Sequence, residues 1–110
     1  MDNLTNRFSL LFSCASIQKK QSILRDAELY NRRGIAYEEK GQHDQAISDY
    51  NKALEINPRL ADAYNNRGVA YYFKGEYEKS WEDVKKAQNL GCKILPEFLD
   101  NLRKASGRQN

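Results

Sequence analysis

Apolar positions recur at three- and four-residue steps along most of this chain, with charged residues between them, the spacing of helices that bury one face. From about Ile17 the stripe runs through Ile23, Leu24, Ala27, Tyr30, Gly34 and Tyr37. Gly41 ends it, because glycine enters the left-handed conformation of a helix C-terminus freely. Asp26 either caps this helix or lies inside one that begins earlier. A second helix is expected from His43 to Ile56, with Ala46, Ile47, Tyr50, Ala53 and Leu54 on one face. Asn57-Pro58 stops it, since the proline ring cannot continue the hydrogen-bond ladder. A third helix spans about Ala61 to Lys74 and breaks at Gly75. A fourth spans about Tyr77 to Leu90, with Ser80, Trp81, Val84, Ala87 and Leu90 as packing positions and Gly91 at its end. A short last helix covers 95–106, with Pro96 in the first turn, where its missing N–H costs nothing. Phe98, Leu99 and Leu102 form its apolar stripe, and residues 107–110 are expected to be a mobile tail.

The pattern repeats. Tyr30-Asn31-Arg32-Arg33-Gly34-Ile35-Ala36-Tyr37 returns as Tyr64-Asn65-Asn66-Arg67-Gly68-Val69-Ala70-Tyr71, 34 residues later. Ala27 and Ala61, Lys40 and Lys74, Gly41 and Gly75, Asp49 and Asp83, Lys52 and Lys86, and Ala53 and Ala87 keep the same offset. A fixed period of this size is the mark of stacked helical units. These residues resemble the tetratricopeptide repeat family, whose pattern places an aromatic, a Gly, a Tyr, a small Ala before an aromatic, and a Pro over ~34 residues. Tyr30, Gly34, Tyr37, Ala46, Tyr50, Ala53 and Pro58 carry the likeness in the first copy, and Tyr64, Gly68, Tyr71 and Ala87 in the second.

The resemblance implies an all-α fold, an α-solenoid of stacked helix-turn-helix units, in which these residues form the packing between helices. The expected division is a non-repeat leader over 1–26, units over 27–60 and 61–94, and a capping helix over 95–106. Arg33 and Arg67 replace the usual Leu, so both must reach solvent or a carboxylate. Ser80, Val84 and Cys92 stand where the pattern has Ala, an aromatic and Pro. Two full units are fewer than the about three usually needed for a stable stack. The leader, the cap, self-association or a ligand must supply the missing burial, unless the chain is a piece of a longer repeat protein.

Composition narrows the function classes. The 110 residues are 30% charged and 11% aromatic, with a net charge of +3 spread along the chain. A nucleic-acid footprint needs clustered Lys and Arg, and no such stripe is present, so nucleic acid is not the expected partner. Cys14 and Cys92 lack metal-ligand or disulfide-framework spacing, and His43, the single histidine, is expected at a surface position. The apolar run from Phe8 to Ser16 is too short to span a bilayer. It reads either as a secretory-type segment resembling a bacterial lipoprotein site, with Cys14 lipidated, or as a leader that packs on the first repeat. Membrane attachment is expected only with that lipidation, and the cytoplasm is narrowly favoured over the bacterial envelope.

No catalytic or phosphate-binding motif is present, and neither an enzyme nor a cofactor or metal site is expected. Glu38-Glu39 and Glu82-Asp83 are adjacent on helices and do not face each other, so solvated faces explain them. Binding is the stronger lead. The resemblance implies that the first helix of each unit lines a concave groove that holds a peptide or helix. Asn31, Ile35, Glu38 and Glu39 fall there in the first unit, and Asn65, Val69, Tyr72 and Phe73 in the second. The Asn amides can donate and accept for a peptide backbone. Tyr71, Tyr72 and Phe73 cannot all point inward from one helix, so one ring either anchors a partner or packs on the cap. Glu28, Glu38, Glu39 and Asp62 repel an acidic tail, so a neutral or basic segment with an apolar anchor is expected. The alternative function is a self-assembling or membrane-tethered accessory subunit.

Overall fold

The computed structural model describes the backbone of residues 2–108 and the side chains of residues 21–108. Among the described residues five helices follow one another: α1 (Asp2–Glu39), α2 (His43–Ile56), α3 (Ala61–Phe73), α4 (Tyr77–Asn89) and α5 (Pro96–Ser106). Each packs on the next, and α1 also touches α3. Of the two readings of Asp26, the helix that runs through is the one observed, since α1 continues past it without a break.

The turns inside the helix pairs are copies of each other. Gly41 and Gly75 sit at φ 77° and 80°, a conformation that costs a residue with a Cβ about 1–2 kcal/mol. In both, the following amide reaches back five residues. Gln42 N–H donates to the Tyr37 carbonyl and Glu76 N–H to that of Tyr71, each at 2.9 Å. Between the pairs, α2 ends at Asn57, whose side-chain oxygen accepts from Arg59 N–H at 3.1 Å. Pro58 was expected among the packing residues but is exposed; it ends α2 and packs little.

Among the described residues two buried clusters hold the stack. Ala46, Ile47 and Tyr50 of α2 meet Ala70 of α3, with Tyr37 and Tyr71 against them. Ala53 and Leu54 of α2, Ala63 and Tyr64 of α3, Trp81, Val84 and Ala87 of α4, and Leu102 of α5 form the other, with Ile94. Tyr30 packs on its edge. The alanines are small where backbones approach, which allows the aromatic rings to fill the space between helices. Gly34 lies directly under Tyr50: a Cβ there would stand 2.5 Å from the ring. Gly68 is less crowded, since Val84 replaces the ring and the nearest atoms are 3.3 Å away. Ser80, wholly buried, donates its hydroxyl to the Gly68 carbonyl at 2.6 Å, which explains a polar residue at a core position.

The two arginines found carboxylates. Arg33 forks onto Asp49 at 2.7 and 2.8 Å, and Arg67 onto Asp83 at 2.8 and 2.7 Å. Both aspartates are buried, and each guanidinium also lies over two tyrosine rings, Tyr30 and Tyr37 or Tyr64 and Tyr71. Lys52 over Tyr30 and Lys86 over Tyr64 complete the copy. Each unit thus carries one Tyr-Arg-Tyr-Asp module that ties its first helix to its second.

The cap is fastened more firmly than its apolar stripe required. Trp81 Nε1 donates to Ser106 Oγ at 2.9 Å, and that hydroxyl donates to the Leu102 carbonyl at 2.7 Å. Arg108 covers the Trp81 ring at 5.4 Å and pairs with Glu78 at 2.7 Å. A cation over an indole and an ion pair thus seat Arg108 against α4, within the stretch expected to be a tail. Residues 109 and 110 lie outside the described residues.

Candidate functional site

Asn31, Ile35 and Glu38 step along α1, and Asn65, Val69 and Tyr72 along α3, by four and then three residues, so each set shares one helix face. The two helices are tied together by Asn66, whose Nδ2 donates to Asn31 Oδ1 at 3.0 Å. This bond occupies Asn31, which is 9% exposed, so its amide acts first as a strut between helices. Asn65 differs. Its Oδ1 is buried and has no hydrogen-bond partner among the described residues. Ile35 and Glu39 are exposed, and Val69 is half-buried.

The three consecutive aromatics of α3 go three ways. Tyr71 packs into the cluster around Tyr50. Tyr72 is half-buried, meeting Phe98 of the cap edge-on at 5.5 Å and Tyr77 at 5.8 Å. Its ring is shared between α4 and α5. Phe73 is the outward ring, 60% exposed. It stacks on His43 at 5.5 Å with 9° between the planes, while Tyr72 meets it edge-on at 5.3 Å.

His43 is thus half-buried instead of sitting free on the surface, because Glu38 holds its Nδ1 and Phe73 covers its ring. Lys74, next along from Phe73, pairs with Asp44 at 2.6 Å. The hydrogen bond raises the Lys74 pKa and lowers that of Asp44. The end of α3 is therefore fastened to the start of α2 at Phe73 and at Lys74. Sequence reading missed His43 and Asn66 as parts of this surface. Phe73 lies 30 residues from His43 and Asn31 lies 35 from Asn66, distances that no local pattern reports.

In each adjacent acidic pair one carboxylate is engaged elsewhere. Glu38 is bound to His43 and Asp83 to Arg67, so neither adjacent acidic pair acts as a unit. The Cys92 thiol is half-buried, and burial together with Asp62 pushes its pKa up, away from the reactive thiolate. Among the described residues no group of three His, Cys, Asp or Glu stands close enough to hold a metal ion. No described helix is long and apolar enough to cross a membrane. Cys14, the lipidation candidate, lies outside the residues with described side chains.

Comparison with known proteins agrees with this geometry. Residues 34–75 match a family described as TPR repeat, and residues 61–90 match one described as tetratricopeptide repeat. No curated protein matches the chain significantly. Repeats of this family generally mediate protein–protein interaction and are generally non-catalytic. With the matched segments together running from the end of α1 through α4, the chain belongs to the tetratricopeptide repeat family and is an all-helical repeat solenoid.

Proposed function

We propose that this protein is a non-catalytic binding module that takes an extended peptide or a helix across the α1 and α3 faces. The observation that carries the reading is Phe73: a 60%-exposed ring immobilised by His43 and Tyr72. Large exposed aromatics cost little entropy on binding when they are already fixed, and such residues dominate interface energetics. Asn65 supports it. It shares its helix face with Val69 and is half-buried, so its two-faced amide belongs to the same surface. Ile35 and Val69 give the surface an apolar floor, and Asn31 holds the two helices in register through Asn66.

Charge sets the class of partner. Glu28, Glu39 and Asp62 are exposed on the same helices, so a neutral or basic segment with one apolar anchor is favoured over an acidic tail. No cofactor enters this function. The test is to pan a random-peptide display library against the full chain and measure the affinity of the selected peptide for wild type and Phe73→Ala. The reading expects an apolar residue in the selected consensus and at least a ~10-fold loss on Phe73→Ala. Peptides that bind both proteins equally contradict it.

A further inference from the structure

A flank of α1 that α2 borders at Tyr30 and Arg33 but leaves open at Asp26 and Leu29 carries a second surface, distinct from the groove. Asp26, Leu29, Tyr30 and Arg33 line a cavity of ≈ 510 Å³ there. Their counterparts one repeat later are Leu60, Ala63, Tyr64 and Arg67. In that copy the equivalent flank is covered by α2: Ala63 is fully buried, Tyr64 is 9% exposed, and both pack with Ala53 and Leu54. Leu29 is 53% exposed by contrast. The arginines tell the same story. Arg67 Nη1 donates to Asn51 of α2 at 2.8 Å, whereas Arg33 uses Nε and Nη2 for Asp49 and its Nη1 has no acceptor among the described residues. The Arg33 side chain is 55% exposed, that of Arg67 19%.

The second unit therefore shows what this flank fits: a helix that brings apolar side chains to the aromatic ring and an oxygen acceptor to the arginine. The flank itself has that composition. Its acid and its base stand at opposite ends, with Leu29 and Tyr30 between them, and the pairs Asp26/Arg33 and Leu29/Tyr30 share one midpoint on α1. Two antiparallel copies of α1 around that midpoint set Asp26 against Arg33 of the partner subunit and Leu29 against Tyr30 of the partner subunit, an isologous two-fold contact. We infer that the occupant is a second copy of this chain, joined α1 to α1, with the Asp26 carboxylate taking the place that Asn51 holds toward Arg67.

Sedimentation of the full chain across a wide concentration range tests this, with Leu29→Arg and Asp26→Arg as variants. The expected result is a wild-type mass rising from one chain to two. Leu29→Arg stays at one chain, and Asp26→Arg weakens the dimer at least ~10-fold, while both keep wild-type circular dichroism. Leu29→Ala is the milder second variant should Leu29→Arg lose helicity. A wild type that stays at one chain overturns the inference, as does assembly beyond two chains or a dimer indifferent to Leu29 substitution. Binding of a selected peptide at Phe73 is a separate readout, so either surface can fail alone.

Discussion

Arg67 grips Asp83 with two hydrogen bonds of 2.8 and 2.7 Å, one from each side of the guanidinium fork. Arg33 and Asp49 repeat the arrangement one unit earlier. The family's usual leucine at this position packs by apolar contact. Here a buried carboxylate and two tyrosine rings hold a charge instead, and the helix pair is joined by a directional bond.

Arg67→Met leaves Asp83 buried without its partner, which is expected to cost about 3 kcal/mol. Adding Asp83→Asn removes the stranded charge and recovers part of the loss. Arg33→Met is expected to cost less, because the more exposed Arg33 site admits water to Asp49. Urea unfolding of the four proteins gives the order; equal stability of Arg67→Met and wild type would refute the role assigned to the pair.

The two packing glycines are predicted to differ. A Cβ at Gly34 meets the buried Tyr50 ring at 2.5 Å, so Gly34→Ala must displace a ring held on all sides and is expected to lose about 1–3 kcal/mol. At Gly68 the contacts of 3.3 Å require only small shifts, and alanine gains about 1 kcal/mol of helix propensity. Gly68→Ala should therefore melt close to wild type. Equal losses in both variants would contradict the packing described.

Ser106→Ala strips the Trp81 indole N–H of its acceptor in a nearly closed site, with an expected cost of about 1–2 kcal/mol. Loosening of the cap should also move tryptophan emission to longer wavelength, since Trp81 is the sole tryptophan. Unchanged emission and stability would mean that apolar contact alone seats α5.

Stability is expected to fall at alkaline pH through Tyr50. Burial raises its pKa above the ordinary 10.0, with Glu38 and Asp49 adding to the shift. The unfolded chain then releases this proton near pH 10 while the folded chain retains it, so the contribution is complete below that pH and is lost as pH rises through the folded pKa. Tyr50→Phe removes the titrating group, and its melting temperature should decline less steeply above that point. Parallel declines would assign the alkaline loss to other groups.

The helices were legible because their signals are local. Gly41, Gly75, Asn57-Pro58 and Pro96 mark ends through their own backbone restrictions, and the 34-residue copy exposes the packing stripe. Arg33 and Arg67 announced a need for a carboxylate by departing from the pattern, but not which one. What could not be read were choices made across the stack. Nothing local says that Tyr72 turns to Phe98 while Phe73 turns outward, that Asn66 engages Asn31, or that Ser106 and Arg108 lock onto Trp81. Those pairings are set by which helices become neighbours, and they decide which of the candidate groove residues remain accessible.

The measurement that tests the binding surface most directly is a backbone amide NMR titration of the full chain with a peptide selected from the display library. Shifts are expected to concentrate at Ile35, Asn65, Val69 and Phe73, with the exposed faces of α2 and α4 unmoved. Shifts confined to α2, α4 or α5 would contradict it and place the binding surface elsewhere on the stack.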